Sequence, residues 1–263
     1  MNHDSLGNRM KDYENSFRSY LPKRIPVIIR LDGCHFHSYT KKCKKPFDDK
    51  LVEVMNDTAI YLCENIHGAQ IAYVQSDEIS ILLNNYTTIH TQPWFDNNIQ
   101  KVASVSAGMA SAIFTQQSHK IWGKEEFEGV EGYPIIKPAY FDSRVFILPK
   151  EEVNNYFLWR QKDSTRNSVQ MLARSLYSHT QCNNKSNSQL HEMCFQKGTN
   201  WNDLPIYQKR GRCIIKDSFV KESVHLFTGE VVKSFRSKWV VDNSIPIFSQ
   251  DKNYINKFVN IEE

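Results

Sequence analysis

Two carboxylate stations carry the chemistry this chain could do. One is Asp32, at the end of the run Ile-Pro-Val-Ile-Ile-Arg-Leu-Asp-Gly over 25–33; the other is the triplet Ser76-Asp77-Glu78. Magnesium takes one or two carboxylates and fills its remaining positions with water and substrate phosphates. Two such ions can stabilise both the attacking and the leaving oxygen of an in-line phosphoryl displacement. The bland alternative for either station alone is an ordinary turn acid at a strand end. Two stations on neighbouring strands favour a pair of Mg²⁺ ions.

The elements around them fit that placement. The 25–31 stretch is β-branched and nearly continuously apolar, the pattern of a buried strand, and Gly33 releases the chain into a turn. The apolar runs 69–74 and 79–83 flank Ser76, Asp77 and Glu78, which predicts a hairpin with its acids at or near the tip. Between the two stations, Asp48 or Asp49 can cap a helix with Leu51, Val54, Met55, Thr58, Ala59 and Leu62 at helical spacing, ended by Gly68. A second helix is expected over about 99–116, small-residue-rich and suited to packing on a sheet. A strand over 140–149 ends at Pro149, and helical patterns follow from Glu151 to about Phe195, with an Asn/Ser-rich loop over 182–188. The order βαββ followed by helices predicts an α+β fold: a mixed sheet with helices on one face, of the ferredoxin-like split βαβ kind. A boundary near Pro149 would divide a 1–149 catalytic domain from a mostly helical 150–263 portion that completes the same fold. The segment 217–263, with strand-like pieces at Val231-Val232 and Trp239-Val240-Val241, has no assigned place.

Length and composition set bounds. A chain of 263 residues with 40% hydrophobic and 12% aromatic residues is globular rather than disordered. Its formal net charge of +4 permits an RNA partner without requiring one. The six cysteines form no C-x-x-C pair and no zinc spacing, so reduced thiols and a cytoplasmic location are expected. Cys34-x-x-His37 has no partner pair that would make it a zinc site. No apolar run approaches the roughly 18 residues of a membrane-spanning helix.

Five ordered motifs then resemble the tRNA(His) guanylyltransferase superfamily. They are Arg30-Leu31-Asp32-Gly33-Cys34-His35-Phe36-His37, Lys45-Pro46-Phe47-Asp48, Gln75-Ser76-Asp77-Glu78, Phe141-Asp142-Ser143-Arg144 and Trp159-Arg160-Gln161-Lys162-Asp163. The resemblance runs from about Tyr13 to about Gly211. It implies a polymerase-like palm, two Mg²⁺ ions, ATP and GTP or other NTPs as substrates, tRNA as partner and a homotetramer. Carried onto this chain, Asp32 and Asp77 become side-chain metal ligands and Gly33 offers its carbonyl. Glu78 matches a further catalytic acid. The turn Gly33, Cys34, His35, Phe36, His37 would wrap the triphosphate with backbone N–H groups, beside Ser76. His37 and Lys45 match positions tied to triphosphate handling and 5′-end activation.

Departures from that pattern point to a branch. The His-Ile-Asn-Asn-Leu-Tyr-Asn segment of the tRNA(His)-specific enzymes reads Thr165-Arg166-Asn167-Ser168-Val169-Gln170-Met171 here, and their Lys-Pro-Asn-Asp reads Lys45-Pro46-Phe47-Asp48. Cys34 stands where an arginine is common. These differences resemble the guanylyltransferase-like 3′–5′ polymerases, implying template-directed repair of truncated tRNA 5′ ends. The alternative is untemplated G addition to tRNA(His). Arg144, Arg160, Arg166, Lys209 and Arg210 are candidate RNA contacts, since arginine grips phosphate bidentately. A palm-type nucleotide cyclase would leave the Trp-Arg-Gln motif unexplained. An RNA-binding module without catalysis would not place acids at its strand ends, where they repel a phosphate backbone.

Overall fold

The computed structural model describes residues 5–122, 137–224 and 231–260. Its elements run α1 (Ser5–Ser16), β1 (Val27–Gly33), α2 (Phe36–Tyr39), α3 (Asp49–Asn65), β2 (Ala69–Gln75), β3 (Glu78–Leu83), α4 (Ile99–Trp122) and β4 (Phe141–Ile147). Then follow α5 (Lys150–Leu176), α6 (His179–Cys182), α7 (Asn187–Gln196), α8 (Ile206–Arg210), β5 (Arg212–Val224), β6 (Val231–Asp242) and α9 (Asn253–Asn256).

The strands make one six-stranded sheet in the order β4-β1-β3-β2-β5-β6. Every pairing in it is antiparallel among the described residues, which corrects the expected mixed sheet. The reason is the split crossover itself. The α3 connection sets β2 parallel to β1, but the β2–β3 hairpin folds back so that β3 fills the gap between them. The α+β, palm-like class stands.

Helices cover both faces rather than one. On one face Val27, Ile29 and Leu31 of β1 join Val54, Met55, Ala59 and Leu62 of α3 and Val102, Ala110 and Phe114 of α4. On the other, Ile28 joins Val153, Tyr156 and Phe157 of α5 and Ile245, Phe248 and Ile255 near the C-terminus. A strand that is apolar at consecutive positions cannot leave either side to water. Full burial of Val54, Met55 and Leu62 contributes about 1.5–3 kcal/mol each. Asp48, not Asp49, caps α3, accepting from the amides of Lys50 and Leu51, a cap that contributes about 1 kcal/mol.

The unplaced tail completes the sheet. Residues 212–215 of β5 pair with β2, and β5 and β6 continue as a two-stranded ribbon to Val224 and Val231. The sheet therefore runs across position 149. All six cysteines are free, and no helix among the described residues is long and apolar enough to cross a membrane.

Candidate active site

β1 and β3 align Asp32 opposite Glu78, and β2 and β3 align Gln75 opposite Glu78. Ser76 and Asp77 are thus the two residues of the hairpin turn, with Ser76 in the left-handed region at φ 45°. The Gly33 amide donates to the Asp77 carbonyl at 3.1 Å, tying the end of β1 to that turn. The aspartates of the two stations meet there. Burial pushes the Asp77 carboxyl above the usual range, and the charges of Asp32 and Glu78 push it the same way. Two like charges converging in a half-buried place are a site that a cation relieves.

The 33–37 turn is shaped by packing. A Cβ on Gly33 would lie 2.3 Å from the Phe36 ring, and Phe36 is held by Tyr39, Phe114 and Phe141 with ring centroids 5.0–5.3 Å away. His35 takes φ 58° to start α2. The expectation that the whole turn offers its amides is corrected in part. The Gly33 amide is taken by Asp77, and the Cys34 amide donates to the Tyr140 carbonyl at 2.7 Å. The amides of His35, Phe36 and His37 have no backbone acceptor among the described residues. The Phe36 side chain belongs to the core, while His35 and His37 are exposed.

Beside the turn lies a cavity of about 320 Å³. Ser76 and Asp77 border it from the hairpin, and His37, Lys45, Phe47 and Asp48 from the α2–α3 segment. Ser164, Asn167 and Met171 of α5 and Arg212 of β5 close it. Asp48 braces this rim, accepting from the Lys44 amide at 2.8 Å as well as capping α3. Lys45 is exposed, and its Nζ is 3.4 Å from the Thr40 carbonyl, so its charge is available to a ligand.

Glu78 has a different place from its aspartate neighbours. It is 5% exposed, and its carboxylate receives Arg30 Nη2 and Arg160 Nε, each at 2.8 Å. Arg160 reaches on to Asp163 at 2.6 Å, and Asp163 also receives Arg166. Arg160 is itself 4% exposed, which corrects its assignment as an RNA contact: its guanidinium is buried, its charge is met by two carboxylates, and it does not border the cavity described above. Arg166 and Arg144 are exposed, the latter 3.6 Å from Asp142. Lys209 donates to the Asn202 carbonyl at 2.6 Å. Arg210 is half-buried, and its carbonyl accepts the Tyr73 hydroxyl at 2.6 Å.

Sequence reasoning gives Arg30 no role of its own, and takes Arg212 only as part of the basic patch Lys209-Arg210-Gly211-Arg212, a candidate tRNA or nucleotide contact. Arg30 lies two residues before Asp32 in a strand, so strand alternation places both on one face, a signal present in the sequence. For Arg212 the patch gives no position, because only the β2–β5 pairing, Val74 opposite Arg212, brings it to α3 and the cavity. Burial lowers its pKa to about 10.

No group of three or more metal-ligating side chains occurs among the described residues. The two aspartates still fit Mg²⁺, an oxygen-seeking ion usually held by one or two carboxylates plus substrate phosphates. Glu78, neutralised by two guanidinium groups, is not a third ligand.

A family described as Thg1, tRNAHis guanylyltransferase, matches residues 7–149. A bacterial tRNA(His) guanylyltransferase (Thg1)-like protein, solved in complex with ATP, is 45% identical, with 98% of this chain and 100% of that one covered and a TM-score of 0.82. A structure of such a bacterial protein with GTP has the same identity and coverage and a TM-score of 0.77. The probable tRNA(His) guanylyltransferase of Dictyostelium discoideum is 25% identical over 227 residues, covering 80% of this chain and 84% of its own length. With more than half of its length matched, the chain belongs to the tRNAHis guanylyltransferase family and is a nucleotidyltransferase.

Proposed function

We propose that this protein adds nucleotides to the 5′ end of tRNA in the 3′–5′ direction, directed by the opposite strand of the acceptor stem, with two Mg²⁺ ions. The observation that carries the reading is the convergence of Asp32 and Asp77 at the β2–β3 turn beside a cavity of about 320 Å³. Similar bacterial proteins hold ATP and GTP. Asp32, Asp77 and the Gly33 carbonyl would hold the metal, which when bound supplies charge stabilisation at phosphoryl oxygens.

The chemistry has two stages. A 5′-monophosphate oxygen attacks the α-phosphorus of ATP, forming a 5′–5′ pyrophosphate linkage and releasing pyrophosphate. The 3′-hydroxyl of the incoming NTP then attacks the activated 5′ phosphorus and releases AMP. A 5′-triphosphate end enters at the second stage and releases pyrophosphate. Lys45 and His37, on the cavity rim, bind phosphate oxygens, and the amides of His35, Phe36 and His37 donate to the triphosphate. Phosphoryl transfer depends on positioning and charge more than on covalent help from the protein. The exposed Arg144 and Arg166 grip the RNA backbone without reading bases.

Template direction rests on Thr165-Arg166-Asn167-Ser168-Val169-Gln170-Met171, where the tRNA(His)-specific enzymes carry a different segment. Four copies assemble in this reading, and α1 supports it. Leu6, Met10 and Tyr13 of α1 and Phe17 just after it are all exposed, and α1 buries nothing of its own. The location is the cytosol, where thiols stay reduced. The test is a set of tRNAs lacking their first nucleotide, with the opposing base varied among the four. The nucleotide added should follow the template. Addition of G whatever the opposing base, or activity confined to tRNA(His), would leave untemplated guanylylation in its place.

A further inference from the structure

Arg212 is 3% exposed, yet it borders the cavity and lies within 4 Å of no carboxylate among the described residues. Its Nε donates to Asn56 Oδ1 and its Nη2 to the Val52 carbonyl at 3.2 Å, both on α3. Those two bonds occupy one edge of the guanidinium fork. The other edge, Nη1 with the second hydrogen of Nη2, has no partner among the described residues. A buried charge without a counter-ion is costly, and one fixed on one edge and free on the other is built to meet an acceptor.

Its place along the sheet says which part of a nucleotide it meets. Arg212 stands opposite Val74, three residues short of Asp77. That spacing is roughly 10 Å of extended chain, so Arg212 lies well away from the aspartate end, where phosphates go. The surroundings suit a flat ring: Phe47, Leu51, Val52 and Met171 line the same cavity.

We propose that Arg212 reads the O6 and N7 acceptors of a 6-oxopurine, giving the cavity an affinity bias for guanine nucleotides over adenine nucleotides in the absence of RNA. Arginine donates bidentately to guanine O6 and N7, whereas adenine presents its N6 amino group where O6 would be. The inference rests on the reading of this cavity as the nucleoside triphosphate site. Pairing with a template acts on top of the bias.

The test is equilibrium binding of GTP, ITP, ATP and 7-deaza-GTP, with Mg²⁺, to the wild-type protein, Arg212→Lys and Arg212→Gln. ITP keeps O6 and N7 but lacks the 2-amino group, and 7-deaza-GTP lacks N7. In the wild type, GTP and ITP should bind alike and ATP and 7-deaza-GTP about tenfold more weakly. Arg212→Gln should bring GTP and ITP to the ATP level while leaving ATP affinity in place. Arg212→Lys, with charge but no fork, should keep only part of the preference. If the variants do not fold, as thermal unfolding would reveal, the wild-type series still decides through the ITP and 7-deaza-GTP contrasts. Equal wild-type affinity for all four, or equal losses for all four in a folded variant, overturns the assignment and makes Arg212 a structural or phosphate-binding group. Equal affinities with 5′-end addition intact sink only this inference; a wild type that binds none of the four sinks the nucleotidyltransfer site itself.

Discussion

Glu78→Gln keeps the side-chain volume and removes the charge that joins Arg30 to Arg160. Both guanidinium groups lie 2.8 Å from the carboxylate in a place where Glu78 is 5% and Arg160 4% exposed. Hydrogen bonds to charged groups contribute about 1.5–3 kcal/mol each, so two carry about 3–6 kcal/mol. Arg160 keeps Asp163 at 2.6 Å, while Arg30 keeps only Asp32 at 3.9 Å, so the expected loss sits near the lower end, about 3 kcal/mol. At about 2–4 °C per kcal/mol for a chain of this size, the melting temperature should fall by about 6–12 °C. The assay is thermal unfolding with and without Mg²⁺. The variant should melt lower in both conditions, yet keep the wild-type stabilisation by Mg²⁺, because Glu78 organises arginines rather than holding metal. Arg30→Met combined with Glu78→Gln should lose less than the sum of the two single changes. A fall below about 2 °C (under about 1 kcal/mol), with Mg²⁺ stabilisation abolished, would make Glu78 a ligand and refute the reasoning.

Asp77→Asn should remove Mg²⁺-dependent stabilisation and nucleotide addition while making the metal-free protein more stable at neutral pH. A carboxyl whose folded pKa is raised gives stability present at low pH and lost as pH rises through the folded value, so the variant's advantage should grow from about pH 4 upward, as melts across pH would record. Gly211→Ala should cost at least about 1–3 kcal/mol in urea unfolding, since φ is 78° and the new Cβ would lie 2.6 Å from the Tyr73 hydroxyl and 2.8 Å from the Val74 carbonyl. Lys45→Ala should impair addition to 5′-monophosphorylated tRNA more than to 5′-triphosphorylated tRNA in single-turnover assays. Equal losses there would indicate general phosphate binding.

Much of this protein is legible in local sequence pattern alone. The apolar run ahead of Asp32 announces a strand buried on both faces, the paired runs around Ser76 and Asp77 announce the hairpin, and helical spacing picks out five of the side chains that α3 buries fully. Ordered motifs point to the family and to the two aspartates. Each of these signals lies within a few consecutive residues, where backbone geometry alone links spacing to face. Other features depend on partners far apart in the chain. Arg160 looks like a free cation in its motif, but Glu78, 82 residues away, takes its charge into the interior. The sheet is antiparallel rather than mixed because β3 inserts between β1 and β2. The 217–263 tail gains its place through the β5–β6 pairing and the packing of Ile245, Phe248 and Ile255, and the β2–β5 pairing carries Arg212 to the cavity. Burial and ion pairing are set by what the folded chain brings alongside, and residue type fixes only the charge that arrives there.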